Sequence, residues 1–509
     1  MPSIRLPGVY IREIPASQRP IVGVGTDKLG MAGESERGPL QIRAVTSYAE
    51  YRRLYGDPLP DRYLGHAVQG FFDNGGRGCF VARVASRTAT TAMLDTGPLR
   101  ITAIGPGVSG NNIWVWVTDS NAADPQRFRI VVAYYRDGVA AAAPLDPTSA
   151  ANRSLPGVEA PTEFEDFDSL GFTGNDAAVT LTALARSILI RAEWHGTPGR
   201  PGNTGPAALA GALSGNPADI HDYIGGDRAV AGIGGPVTTG YEGLATVDEI
   251  ALLAAPDEHA VPGLREHLQK QCTRAGDRFG IFSVAGGQRD AAAISEPHPP
   301  STMGAVYWPW IQVRHPSDNT MITIPPVGHV AGIFAHTDTT RGVHKAPANV
   351  VVQGALDLEF SVTAEDQDLL NPRGVNVVRD FRGSNRGIRL WGARTMSSDP
   401  EWKYVSVRRL AIYLRESIDK GTRWAVFEPN APALWESIGK SIENFLHSVW
   451  RDGALQGAQP EQAFFVRCDH TTMTQDDIDS GRLIWEIGIA PVKPAEFVIL
   501  GIRQKTADS

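Results

Sequence analysis

The chain has 509 residues, 42% of them hydrophobic and 20% charged, and its 48 Lys and Arg against 56 Asp and Glu give a net charge of −8. That is too long for one ordinary core and predicts about two to four globular domains, while the absence of a basic excess or a long basic run excludes steering to nucleic acid. Cys79, Cys272 and Cys468 are odd in number and far apart, no signal-peptide pattern or membrane-length apolar run is present, and a soluble cytoplasmic product without disulfides is expected.

In chain order, PGVYIREI at residues 7–14 reads as a strand with Val9 and Ile11 on one side, Tyr10 on the other, and no hairpin partner nearby. A flexible SQRPIVGVG segment follows. Ser47 and Glu50 form a capping box for a short helix ending at Gly56. Asp61 is the candidate N-cap of a second helix carrying Leu64, Val68, Phe71 and Phe72, which stops at Asn74-Gly75-Gly76. CFVARV then gives a strand. Between about residues 89 and 222, NIWVWVTD and FRIVVAYY are strands by their β-branched and aromatic content. The Ala-, Pro- and Gly-rich stretches around them predict long surface loops of an inserted β-rich domain.

Further on, VDEIALLAAPD predicts a strand covered on both faces. VPGLREHLQKQCTRAG is a helix with Leu264, Leu268 and Cys272 on one face, and RFGIFSV completes a strand–helix–strand unit. The stretch from His329 to Pro429 is punctuated by Gly and Pro and reads as short strands and shaped loops. It resolves into an amphipathic helix bearing Leu410, Tyr413, Leu414, Ser417 and Ile418, stopped at Gly421. WAVFE is expected to follow as a short apolar strand, packing that helix on a sheet. Asn430 and Pro432 open a long helix whose apolar face carries Leu434, Ile438, Ile442, Phe445, Leu446 and Val449, and Gly453 ends it. FFVRC and LIWEIGIA are strands, the latter with Leu483, Trp485, Ile487 and Ile489 on one face. EFVILGI is apolar on both faces, as expected of a segment inserted into a sheet.

The motifs RGVHKAPAN, LNPRGVN, RGIRLWGART, SSDPEWKYVSVRRL and GTRWAVFEPN closely resemble the C-terminal domain of tail sheath proteins of contractile phage tails and related injection systems. LWESIGKSIENFLHSVWRDGAL and IGIAPVKPAEFVILGI extend the resemblance. PGVYIREIPASQRPIVGVGT, ERGPL, VTSYAEYRRLYG and HAVQGFFDNGGRGCFVARV carry it at the N-terminus, although Asp27 and Lys28 stand where relatives keep a more apolar strand. The resemblance implies an α+β or α/β multidomain chain, a mixed-sheet core with an inserted β-rich outer domain. Its expected parts are a linker strand at 1–25, core portions at 26–88 and 223–300, the insertion at 89–222, a C-terminal sheath domain at 301–495 and an exchanged strand with tail at 496–509. It further implies a homo-oligomer of hexameric rings stacked helically, with an inner tube protein, baseplate and terminal cap proteins as partners. Such a particle component assembles in the bacterial cytoplasm, without a cofactor, nucleic acid or direct membrane insertion. The expected intersubunit strands carry Val9, Tyr10 and Ile11 at one end and Phe497, Val498, Ile499 and Leu500 at the other. Glu436, Lys440, Glu443 and His447 on the long helix are the expected inner-tube contact. ASQRPIVG and IAPVKP would act as hinges.

The alternative from another class is an α/β hydrolase-like enzyme using Asp257 and one of the histidines. Asp257 follows a buried strand, where α/β enzymes keep catalytic groups, but it also precedes a helix that an aspartate would cap. His329, His336 and His344, with Asp338 among them, match no zinc spacing, and structural roles are expected of them. Neither a phosphate-binding G-x-x-x-x-G-K-[ST] loop nor a G-x-S-x-G elbow is present, and Gly23-Val24-Gly25 lacks a strand–helix context. Arg408 and Arg409 could pair with an acidic neighbour, and a solvated helix face explains them as well.

Overall fold

The computed structural model describes residues 19–122, 124–139, 144–153, 155, 158–230, 233–469 and 471–496. The chain divides into two compact units. One comprises residues 25–340 and 347–405, the other 1–24, 341–346 and 406–509.

The larger unit is built on a nine-stranded mixed sheet. Its spatial order is Val350–Val351, Ile388–Trp391, Val375–Asp380, Gly304–Trp308, Phe279–Ser283, Leu252–Ala254, Leu29–Glu34, Cys79–Val84 and Arg43–Val45. The six strands from Val375–Asp380 to Cys79–Val84 run parallel, and the outer pairings are antiparallel. Leu29, Met31, Leu252, Leu253, Phe279 and Ile281 are all fully buried, as parallel strands with both faces covered require. Strand pairing begins at Leu29, so Asp27 and Lys28 lie just outside it, and the Lys28 carbonyl accepts from the Ala251 and Leu252 amides at 3.1 and 3.0 Å.

Within the His329–Pro429 stretch the structure corrects the expectation of turns, because Val327–Arg341 is a helix. Residues 327–335 are buried throughout, and Phe334 meets Phe279 and Tyr307 at ring-centroid distances of 6.2 and 6.3 Å. A helix apolar on every side shows no 3.6-residue periodicity to read. It lies close against Leu64–Asp73. A Cβ on Gly328 would stand 2.2 Å from the Ala67 carbonyl oxygen, and one on Gly332 would stand 2.4 Å from that of Phe71.

Residues 92–212 enclose a core of their own. Thr204–Ala208, Ile113–Asp119, Arg127–Tyr134 and Glu163–Gly171 form one antiparallel sheet, and Met93–Asp95, Leu99–Ala103 and Ile190–Trp194 another. Alternation places Ile113, Val115 and Val117 in that core, while Trp116 joins Val131 and Ala133 in a second cluster. The segment closes on itself: the Thr90 amide donates to Leu213 O at 3.0 Å and that of Asn216 to Thr88 Oγ1 at 2.9 Å. It is tied to the mixed sheet by Tyr134, whose hydroxyl donates to Glu36, and by Arg136, which reaches Asp57 at 2.5 Å.

In the smaller unit, helices Val405–Thr422 and Pro432–Arg451 and a two-stranded sheet share a core. Leu410, Leu414, Ile438, Ile442, Phe445, Leu446 and Val449 form its centre, with Ile487 and Ile489 packed against it. Two expectations fail here. WAVFE is no strand: Arg423–Ala425 is a 3-10 turn, and Phe427 is fully exposed at φ 71°. Gly421 does not stop the helix, which runs on to Thr422. It is small because Ile21 seats there, 2.8 Å from where its Cβ would stand. Ile21 is buried and the Val24 amide donates to Ser417 Oγ at 3.1 Å, so residues 19–24 are docked on this unit, while the start of ASQRPIVG lies outside the described residues. IAPVKP is docked as well, since Leu455 bridges Pro491 and the Val492 amide donates to Ala454 O at 3.1 Å.

Candidate functional site

The strand order reverses between Leu29–Glu34 and Leu252–Ala254, the position at which open α/β sheets bind ligands beyond their strand ends. The chain itself fills that crevice. Asp257 is 1% exposed; its Oδ1 accepts from the Tyr63 amide at 2.8 Å and its Oδ2 from the Tyr223 hydroxyl at 3.0 Å. Arg62 closes over it by pairing with Glu34. Asp257 therefore caps a helix, but that helix is Leu64–Asp73 and not the one that follows it in sequence, whose N-cap is Gly263. Asp61, the expected cap, instead sits at φ 58°. Burial pushes the Asp257 carboxyl up to about 6, against the two hydrogen bonds that favour its ionised form.

Beside it stands an arrangement the sequence reading missed. Ser283 Oγ lies 3.2 Å from His259 Nε2, and Glu258 Oε1 accepts from the Ser283 amide at 2.6 Å and hydroxyl at 3.1 Å. A nucleophilic relay needs its carboxylate on Nδ1, the imidazole nitrogen away from the serine. Here the carboxylate approaches Nε2 at 3.6 Å, on the same side as the hydroxyl, Arg265 holds its other oxygen at 2.6 Å, and Ser283 is completely buried. The group ties loop to strand and cannot present a nucleophile. Its only sequence signal was Glu258-His259 directly after a buried strand.

The histidines do not converge on a metal. His329 is buried with Nδ1 unpartnered, and a Cβ on Gly70 would meet that nitrogen at 2.2 Å. His336 is exposed two turns along the same helix, and His344 belongs to the other unit. Among the described residues no group of three or more His, Cys, Asp or Glu could hold a metal ion. No helix among them is long and apolar enough to cross a membrane. Arg409 is 4% exposed, which overturns the solvated-face reading for it.

Glu436, Lys440, Glu443 and His447 are all exposed on one side of Pro432–Arg451. Glu436 and Lys440 form an ion pair one turn apart, which holds the Glu436 carboxyl below its usual range, and the His447 ring meets Trp450 edge-on at 5.3 Å. Asn430 does not cap this helix, whose N-cap is Ala431, but its Oδ1 accepts from Trp435 Nε1 at 2.7 Å.

The two-stranded sheet pairs Phe464–Arg467 with Glu486–Ile489, antiparallel, and among the described residues no further strand joins it. Its inner face carries Phe464, Val466, Ile487 and Ile489. On the outer face Phe465 covers Gly488, where a Cβ would stand 2.0 Å from its ring, and Arg467 pairs with Glu486 at 3.6 Å. Val9, Tyr10, Ile11, Phe497, Val498, Ile499 and Leu500 lie outside the described residues.

Comparison with known proteins converges on one family. The chain is 30% identical over 195 residues to a prophage major tail sheath protein of Pseudomonas aeruginosa, covering 37% of this chain and 48% of that one. It is 28% identical over 211 residues to the tail sheath protein of Escherichia phage P2, covering 40% and 50%. It thus spans about half the length of these curated relatives. Among solved structures, the helical sheath of the anti-feeding prophage in the contracted state matches at TM-score 0.58 and 25% identity, over 99% of this chain and 100% of that one. A sheath tail protein of Listeria innocua shares the fold at TM-score 0.59 and 13% identity, over 93% and 96%. The phage tail sheath protein central domain matches residues 231–396 and the phage tail sheath C-terminal domain residues 397–505. These two adjoining domains take in more than half of the sequence, and the chain belongs to the phage tail sheath protein family.

Proposed function

We propose that this chain is a structural sheath subunit that polymerises as stacked hexameric rings around an inner tube. The sheath contracts from a metastable extended state and drives the tube through a target envelope. Baseplate and terminal cap proteins would bound the assembly, built in a bacterial cytoplasm as part of a phage tail or injection particle. The observation that carries this reading is the two-stranded sheet Phe464–Arg467/Glu486–Ile489. One face of the sheet packs on the helices of its unit, and its outer edges offer main-chain donors and acceptors to an added strand. Residues 7–14 and 496–503, from neighbouring copies, have the apolar character to supply it. Such head-to-tail exchange between identical chains generates rings or open helices. Deleting either segment is expected to leave unassembled chains by negative-stain microscopy, and normal tubes from both truncations would sink the proposal. The hydrolase alternative finds no support, because the crevice it needs is filled by Asp257, Tyr223 and the start of a helix.

Residues 89–222 would form an outer decoration dispensable for polymerisation. The Arg87 amide donates to Asp222 Oδ1 at 3.1 Å, so the two ends of the cut lie close together and a few Gly and Ser residues can span it. Asp57 would keep Arg52 at 2.7 Å and Ser317 at 2.7 Å after losing Arg136. The excised chain is expected to fold cooperatively and give tubes of smaller outer diameter; a folded chain that forms no tubes would mean the segment takes part in the contacts between subunits.

The face bearing Glu436, Lys440, Glu443 and His447 would contact the inner tube, largely by charge. That contact should weaken as salt rises toward about 0.5 M. Unchanged tube co-assembly after Glu436→Lys and Glu443→Lys would exclude this helix.

A further inference from the structure

Three arginines from separate segments line one cleft of about 430 Å³. Arg83 lies near the end of the Cys79–Val84 strand, Arg87 in the loop beyond it, and Arg228 in the hairpin Gly226–Ala229/Pro236–Thr239. Their burial is graded, with Arg83 4% exposed, Arg228 intermediate and Arg87 at the solvent. Arg83 donates to the Gly38 and Pro106 carbonyls, both at 2.8 Å, and its Nε is without a partner. Arg228 donates to the carbonyls of Ala85 and Ser86, also at 2.8 Å. Among the described residues neither arginine has a carboxylate within 4.0 Å.

Of the two acids in the cleft, Asp222 lies 3.6 Å from Arg87 Nε and so offsets the outermost arginine, leaving Arg83 and Arg228 without a carboxylate partner among the described residues. Asp222 accepts from the Arg87 and Asp219 amides, each at 3.1 Å, and Asp227 accepts from Thr238 Oγ1 at 2.7 Å. Carbonyl oxygens orient a guanidinium but do not neutralise it, and like charges brought together in a partly desolvated site raise each other's cost. Burial, and then the proximity of Arg228, push the Arg83 guanidinium down to about 10. Burial also lowers Arg228, Asp222 opposes that shift, and Arg87 adds to it. A planar fork with unused N–H donors is the geometry that receives an oxyanion.

We propose that this cleft is an oxyanion site, taking a phosphate or a carboxylate among the Arg83, Arg87 and Arg228 guanidiniums. The test is calorimetric titration of the full chain with inorganic phosphate, with glutarate and with chloride at matched ionic strength. Saturable binding of phosphate or glutarate, with none of chloride, is the expected result. Arg87→Ala, which changes an exposed side chain, and Arg228→Lys, which keeps the charge but loses the fork, should each weaken it about tenfold or more. Phosphate alone binding would make the ligand a free phosphate; glutarate binding as well would support a side-chain carboxylate as the occupant. No saturable binding in the unaltered chain, or binding that both variants leave unchanged, overturns the proposal.

Discussion

Gly328→Ala is expected to cost the fold about 3 kcal/mol, although alanine is the better helix former by roughly 1 kcal/mol. The added Cβ would stand 2.2 Å from the Ala67 carbonyl oxygen, 2.4 Å from Ala67 Cα and 2.6 Å from its carbonyl carbon. All three atoms are backbone of the neighbouring helix, so no rotamer change relieves the clash. Either Leu64–Asp73 moves away from the Leu29–Glu34 strand it covers, or Val327–Arg341 lifts from Phe279 and Tyr307. Overpacking of this kind costs about 1–3 kcal/mol and more where the obstacle is main chain. Gly383→Ala is the control, because a Cβ there meets nothing within 4 Å, and its stability should stay within about 0.5 kcal/mol of the parent. Urea unfolding of both variants decides the matter, and a Gly328→Ala chain as stable as the control would refute this close packing.

That contact also marks what could be read from the sequence. The helix Pro432–Arg451 was legible because one face packs and the other meets solvent, so its apolar residues recur with helical spacing. The strands Leu252–Ala254 and Phe279–Ser283 were legible as short apolar runs, and the helix between them because Leu264, Leu268 and Cys272 share a face bounded by Gly263 and Gly276. Val327–Arg341 was not, since burial on all sides leaves no period and its glycines look like turn residues until the neighbouring helix is seen. WAVFE has the composition of a buried strand, yet Val426 and Phe427 face solvent, and an apolar run alone cannot distinguish the two. Nor could sequence show that Asp257 caps a helix beginning at Leu64, because that bond depends on which strands lie side by side.

Asp257 offers the sharpest test of how that filled crevice is held. Its folded carboxyl titrates at about 6, against about 4 in an unfolded chain. Between those values the folded protein keeps a proton that the unfolded protein releases. The stability this group contributes is therefore complete below about pH 4 and is lost as pH rises through about 6, a fall of about 3 kcal/mol. Asp257→Asn should remove that slope. Its carbonyl can still accept from the Tyr63 amide, and its amide can donate to the Tyr223 hydroxyl. At pH 7 the Asn chain should be at least as stable as the parent. Asp257→Ala leaves the Tyr63 N–H buried without a partner, at about 1–3 kcal/mol, and the Tyr223 hydroxyl with only its 3.5 Å contact to Glu34 Oε1. Its loss should be greatest near pH 4–5, where the parent carboxyl is protonated and no buried charge offsets the missing bonds. Denaturant midpoints of the three chains from pH 4 to pH 8 provide the comparison. Parallel pH profiles for the parent and the Asn chain would mean that Asp257 is ionised throughout and that burial does not govern it.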